Sequence, residues 1–197
     1  MNFFKIPFVL LIIVVLSSCA DNPSHLILAP ELNLPTVIKY HNKQAQFNVT
    51  DLRTARHIIQ VLHQGDAAEL ITSQQTLSDI IKQVLTKEFE NQGLNFDADI
   101  VNQAVKQTVN NKIDIIIDKA LISVKQDTLF YEVKSNISVR IKVKNNQQTL
   151  TKTFNSSNNN TGSLTADVAV LERNFNQQLS NTLINLLIDD EVTQFIK

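Results

Sequence analysis

A single residue of this 197-residue chain carries a thiol, Cys19. It directly follows Leu16-Ser17-Ser18, at the end of an uncharged apolar run, Ile6 to Leu16, and that run follows a short start bearing Lys5. A thiolate is a potent nucleophile, and small residues in front of it let the chain enter a peptidase cleft. The chemistry implied is attachment of a lipid to sulfur, followed by cleavage before Cys19. With one cysteine, no disulfide within the molecule is possible.

A charged start, an apolar run and then small residues make a secretory signal peptide. A spanning helix needs roughly 20 apolar residues, more than this run supplies, and Pro7 would sit badly inside one. Leu16-Ser17-Ser18-Cys19 resembles the lipobox of bacterial lipoproteins, with Leu16, Ser17 and Ser18 as the signal-peptidase recognition residues and Cys19 as the lipidation site. The plainer alternative is an ordinary secretory signal with a cysteine nearby by chance. Each buried methylene contributes about 0.8 kcal/mol, and one chain alone holds a protein only reversibly; three chains on one residue make release negligible. The lipoprotein sorting rule takes an aspartate directly after the cysteine as an inner-membrane signal. Here that residue is Ala20, with Asp21 one later, which implies the outer membrane, facing the periplasm.

Other chemistry is thin. An α/β-type serine hydrolase needs a nucleophile on a glycine-bearing turn, and the chain has 3 glycines. Most glycosidases set two carboxylates across a cleft, whereas Asp189, Asp190 and Glu191 are adjacent and read as a solvated helix end. His57 and His63 share one face of an expected strand, but six residues along a strand is roughly 20 Å, too far for one zinc ion. No catalytic residue, metal or cofactor is expected. Nucleic acid is an unsuitable partner: the formal net charge is −1, and no basic cluster is interleaved with aromatics. The best candidate for binding is a stripe of Lys134, Arg140, Lys142 and Lys144, which alternation puts on one face of a long strand with Asn136 and Ser138. Such a face suits an anionic envelope polymer or an acidic envelope protein. The same lysines also read as a solvated face guarded against edge pairing.

These residues need elements to hold them. Pro23, Pro30 and Pro35 space the stretch up to about Tyr40, which reads as an extended tether; the apolar Leu26 to Leu34 leaves open that it packs back as an irregular strand. Phe47 to Leu52 and His57 to Leu62 read as strands joined by a turn near Thr54, and Glu69 to Thr72 as another. Leu77, Ile80, Ile81, Val84, Leu85 and Phe89 form the stripe of a helix, capped by Ser73 or Thr76 and ended by Gly93. A weaker helical pattern covers Ile100 to Val109. Ile113, Ile115 and Ile117 then alternate, and the phase slips to Ala120, Ile122 and Val124, the mark of a bulge or of a strand buried on both faces. After a turn at Gln126-Asp127-Thr128, Leu129 to Val143 alternates cleanly except at Ser135. Asn145-Asn146-Gln147 turns the chain into a partner strand, Leu150 to Phe154. Asn155 to Asn160 reads as a polar loop, followed by a helix from Thr165 to Ile188 and a last turn at Phe195-Ile196.

The lipobox, Asn48 to Arg53, the helix ending near Leu94, Ala120 to Val124, Val133 to Val143 and Asp167 to Ile196, with Asp189-Asp190 before Phe195-Ile196, together resemble the YajG-type family of small Gram-negative lipoproteins. Asp97 to Val109 departs from that pattern. The resemblance implies an outer-membrane lipoprotein and supplies no catalytic or binding residues. A looser likeness reaches lipoproteins that activate peptidoglycan synthases or assist lipopolysaccharide assembly. The expected architecture is α+β: an antiparallel sheet with helices packed on one face. Residues 1–18 are the signal peptide, 19–45 the lipidated start and tether, and 46–197 one periplasmic domain. The expected role is a non-catalytic binding or adaptor lipoprotein; the alternative is an accessory factor regulating a peptidoglycan-synthesis or other envelope-assembly enzyme.

Overall fold

The structure is a computed structural model that describes residues 25–96, 111–146 and 148–197. Cys19 and its flanking residues, the helical pattern of Ile100 to Val109, and Gln147 of the expected turn lie outside the described residues. The elements are β1 (His25–Leu26), β2 (Lys43–Asp51), β3 (Ile59–His63), β4 (Glu69–Ser73), α1 (Leu77–Asn91), β5 (Leu94–Phe96), β6 (Asn111–Gln126), β7 (Phe130–Asn145), β8 (Gln148–Ser163), α2 (Val168–Ile188) and α3 (Asp190–Ile196).

The long β6 organises the sheet. Its β-branched residues suit a pleated, buried surface: Ile113, Ile115 and Ile117, then Ala120, Ile122 and Val124, are all buried. The register shifts between Ile117 and Lys119. This is the expected bulge, because one extra residue is what returns the apolar set to the core face. One edge of β6 carries β7, antiparallel, and β7 in turn carries β8. The other edge carries two strands end to end, β2 beside Asn111 to Ile117 and β3 beside Ile122 to Gln126, both parallel to β6.

The sheet is therefore mixed, not antiparallel as expected. The turn near Thr54 does not fold β3 back on β2. It carries the chain past the bulge so that β3 continues in the same direction, with Leu52 N–H donating to Ile117 O at 3.0 Å and Ile122 N–H to Ile58 O at 2.7 Å. A second correction concerns Asn155 to Asn160, which form strand, not loop. Asparagine and serine favour turns locally, but β7 offers a complete ladder, pairing Ser135 with Asn158 and Val133 with Asn160. Here tertiary pairing outweighs a propensity scale spanning only about 1 kcal/mol.

Both long helices cover the core face of the sheet. Thr76 caps α1 by accepting from Asp79 N–H at 3.3 Å, and Gly93 leaves the helix at φ +86°. Phe89 of α1 meets Phe47 of β2 edge-on at 5.8 Å, and Phe47 stacks on Phe96 at 5.1 Å. The α2 stripe of Val168, Leu171, Phe175, Leu179, Leu183 and Leu186 is buried against β7 and β8. Asp167 caps α2 through Ala169 N–H at 2.8 Å, so the helix starts at Val168 and not at Thr165.

The stretch from His25 to Tyr40 lies on the domain, as the irregular-strand alternative had it for Leu26 to Leu34. His25 and Leu26 pair with Thr72 and Ser73, and Leu26, Leu28 and Tyr40 are buried. The chain then runs along α2. Ile27 N–H donates to Glu172 Oε2 at 2.9 Å and Ala29 N–H to Asn176 Oδ1 at 3.0 Å. Residues 25–45 thus belong to the folded unit.

Candidate functional site

Bulge and strand break meet at one place, and polar side chains collect there. Where β2 ends, Asp51 and Arg53 are both almost fully buried, with side-chain exposures of 4% and 5%. Arg53 Nε and Nη2 donate to Asp51 Oδ1 and Oδ2 at 3.0 and 2.9 Å, and Nη1 donates to Ala120 O at 3.1 Å. The guanidinium thus bridges the break in one edge to the bulge in β6. Burial pushes the Asp51 carboxyl up, but the hydrogen bonds and charge of Arg53, helped by Arg56, outweigh it and hold the group below its ordinary value. The bulged residue, Asp118, accepts a second bidentate pair from Arg140 of β7, at 2.6 Å from Nη2 and 3.1 Å from Nε.

Around this junction lies an open depression of about 440 Å³, lined by Arg53, His57, Lys119, Ser123, Lys134 and Asn136 among others. It sits on the sheet face turned away from the helices. Along that face the register aligns Ser123 with Lys134 and Asn159, Leu121 with Asn136 and Ser157, and Asp114 with Lys142 and Thr151. Lys119 and Lys134 are exposed and form no ion pair among the described residues.

The basic stripe read from sequence is thus on one open face, but it is not uniform. Lys134 lines the depression. Arg140 is committed to Asp118. Lys142 lies opposite Asp114, and Lys144 opposite Lys112, toward the far end of the strands. Sequence reading missed Lys119, Asp118 and the Asp51–Arg53 pair. The phase slip after Ile117 was their one signal, because a bulge re-aims the residues within it.

The histidines stay apart. His25 Nδ1 is 3.2 Å from Thr72 Oγ1, and His57 Nε2 is 3.3 Å from Gln60 Oε1. Asp189 caps α3 through Val192 N–H at 3.1 Å, and Lys152 Nζ lies 2.9 Å from both Asp189 Oδ1 and Glu191 Oε2. This acidic cluster is tied to a helix start. Among the described residues, no helix is long and apolar enough to cross a membrane.

One comparison with known proteins, a family profile, agrees with the sequence pattern. The profile of a family described as uncharacterized lipoproteins matches residues 30–197. No curated protein matches the chain. Among solved structures, a DUF330-family protein from Xanthomonas campestris is similar at 16% identity and a TM-score of 0.49, covering 83% of this chain and 90% of that one. A neuraminyllactose-binding hemagglutinin homolog from Helicobacter pylori is similar at 8% identity and a TM-score of 0.49, covering 87% and 96%.

Proposed function

The chain belongs to the family of uncharacterized lipoproteins, the YajG-type family, and from that premise we propose that it is a lipid-anchored, non-catalytic binding protein. Lipid on Cys19 holds it at the outer membrane, facing the periplasm, with Leu16, Ser17 and Ser18 read by the signal peptidase. The domain presents its helix-free sheet face to an anionic envelope component, either a polymer or the acidic surface of a protein.

One observation carries this reading: Lys119 and Lys134 are exposed, without an ion pair among the described residues, beside a depression in whose wall Arg53 is already paired with Asp51 and Ala120 O. Two exposed ammonium groups at one depression suit a ligand with anionic oxygens. Lys142 and Lys144 extend the positive field along β7. Asp118 in the same wall is neutralised by Arg140, and the remaining excess of positive charge raises the local concentration of oppositely charged partners.

The test is a crosslinking pull-down from cells, comparing wild type with Lys119→Glu/Lys134→Glu and with Lys142→Glu/Lys144→Glu. Arg140 is left intact because its removal would strand Asp118. A partner captured by wild type and lost with the first pair maps the site to the depression. Loss with the second pair alone moves it along β7. Identical partners for all three proteins reduce the stripe to a solvated surface.

A further inference from the structure

The end of the sheet at the β6–β7 turn exposes apolar side chains that the fold holds in place. Leu129 is 69% exposed, Leu164 68%, Phe130 53% and Leu62 40%. Leu164 N–H donates to Leu129 O at 2.9 Å, so the two leucines are fastened to each other. Leu164 also adopts φ +65°, a conformation that bulky side chains rarely take. Gln126 secures it, donating to Leu164 O at 2.6 Å and to Asp127 O at 2.7 Å while accepting from Ala166 N–H at 3.2 Å. A strained leucine whose side chain contributes nothing to the core is held out to solvent. Clustered exposed apolar groups mark a contact surface.

The direction of β1 and the short spacing from Cys19 to His25 point to what covers it. β1 is parallel to β4, with His25 opposite Thr72 and Leu26 opposite Ser73, so the start of β1 at His25 faces the Glu69 end of β4. β4 is antiparallel to β3, placing Glu69 beside Val61 and Val61 beside Val124. That is the end of the sheet where β6 turns at Asp127. From Ile122, level with Ile71 through Ile59, β6 advances roughly 17 Å to its turn at Asp127, and His25, one residue further back opposite Thr72, lies roughly 20 Å from that level. His25 stands six residues after Cys19, a span whose reach is at most roughly 21 Å. The plane of the apolar tip is therefore within the span available to a lipid anchor at Cys19.

We propose that Leu129, Phe130 and Leu164 form a membrane-docking tip that inserts into the bilayer holding Cys19, with the long strands standing upright. The tip fixes the orientation of an anchored domain and keeps the basic face upright, accessible to periplasmic partners. This rests on the lipid-anchor reading above.

The chain has no tryptophan, so one introduced indole reports alone. Phe130→Trp and, at the opposite end of the sheet, Thr149→Trp, each expressed from the full sequence in a Gram-negative host and purified in detergent, are reconstituted in phosphatidylethanolamine–phosphatidylglycerol vesicles, with and without brominated acyl chains. Flotation of the vesicles reports anchoring separately. The expected result is a blue-shifted emission for Phe130→Trp that brominated lipid quenches by more than half, with no quenching for Thr149→Trp. Adding Leu129→Ser and Leu164→Gly, the latter relieving the positive φ, is expected to lower quenching of the indole at position 130 to the Thr149→Trp level. Floated protein whose position-130 indole is not quenched overturns the docking tip alone, as does equal quenching at both positions. Protein that fails to float overturns the anchor and the tip together.

Discussion

Arg53 Nη1 reaches Ala120 O at 3.1 Å while the same guanidinium grips Asp51, so one side chain ties the break between β2 and β3 to the bulge in β6. A bulge leaves backbone groups out of the ladder, and here the arginine fork satisfies a carbonyl just beyond the bulge. Asp51→Asn would leave Arg53 buried and uncompensated, a loss worth about 3–5 kcal/mol. Urea unfolding should show a lower midpoint at unchanged slope. Replacing both residues, Asp51→Leu with Arg53→Met, should recover much of that loss. A double variant as unstable as Asp51→Asn would mean that the pair contributes more than mutual neutralisation.

Acid should destabilise the domain from below pH about 4, the ordinary aspartate value. For Asp51 and Asp189, burial raises the carboxyl, but hydrogen bonds, from Arg53 and from Lys152 and Val192 N–H respectively, outweigh it and lower both groups. Between the folded and unfolded values the unfolded chain binds more protons, so stability present above pH about 4 is lost as pH falls through the folded values. Thermal melts from pH 7 to 2 should show this. Lys152→Met should flatten the part of the fall that belongs to Asp189.

Gly162 lies under the ring of Tyr131, and a Cβ there would overlap the ring atoms. Gly162→Ala should cost about 1–3 kcal/mol, the usual effect of overpacking. Combining it with Tyr131→Ala should remove most of the penalty, because the two residues share one contact. Additive losses would place the glycine's role in its backbone instead.

Removal of helix caps should be measurable but modest. Thr76→Ala and Asp167→Ala each delete the side-chain acceptor of a helix-start N–H, at about 1 kcal/mol. Phe175→Ala, by contrast, empties a fully buried site on α2 and should cost about 3–5 kcal/mol. Chemical denaturation of the three variants should keep that order.

The two long helices, the phase slip at the bulge and the alternation of β7 were legible because each is a local periodicity, whereas α3 read only as a last turn at Phe195-Ile196. Thr76 and Gly93 bracket one apolar stripe, and the slip from Ile117 to Ala120 can have few causes in a chain that must keep isoleucines on one face. The stripe of lysines was legible for the same reason. The pairing of Arg140 with Asp118 was not legible, because Asp118 sits in a bulge whose direction no periodicity encodes.

By itself, then, the sequence determined the lipobox pattern at Cys19, the content and order of most elements, and the faces they bury, since those follow from residue types at spacings of two and of three to four. Only the tertiary structure decided which strands pair and in which direction. β2 and β3 lie end to end along β6 because closing a sheet is a long-range event in which backbone ladders, not side-chain periods, choose partners. The asparagine-rich β8 is strand for that reason: β7 leaves an edge of hydrogen-bonding groups to be filled, and filling it outweighs the local preference of asparagine and serine for turns.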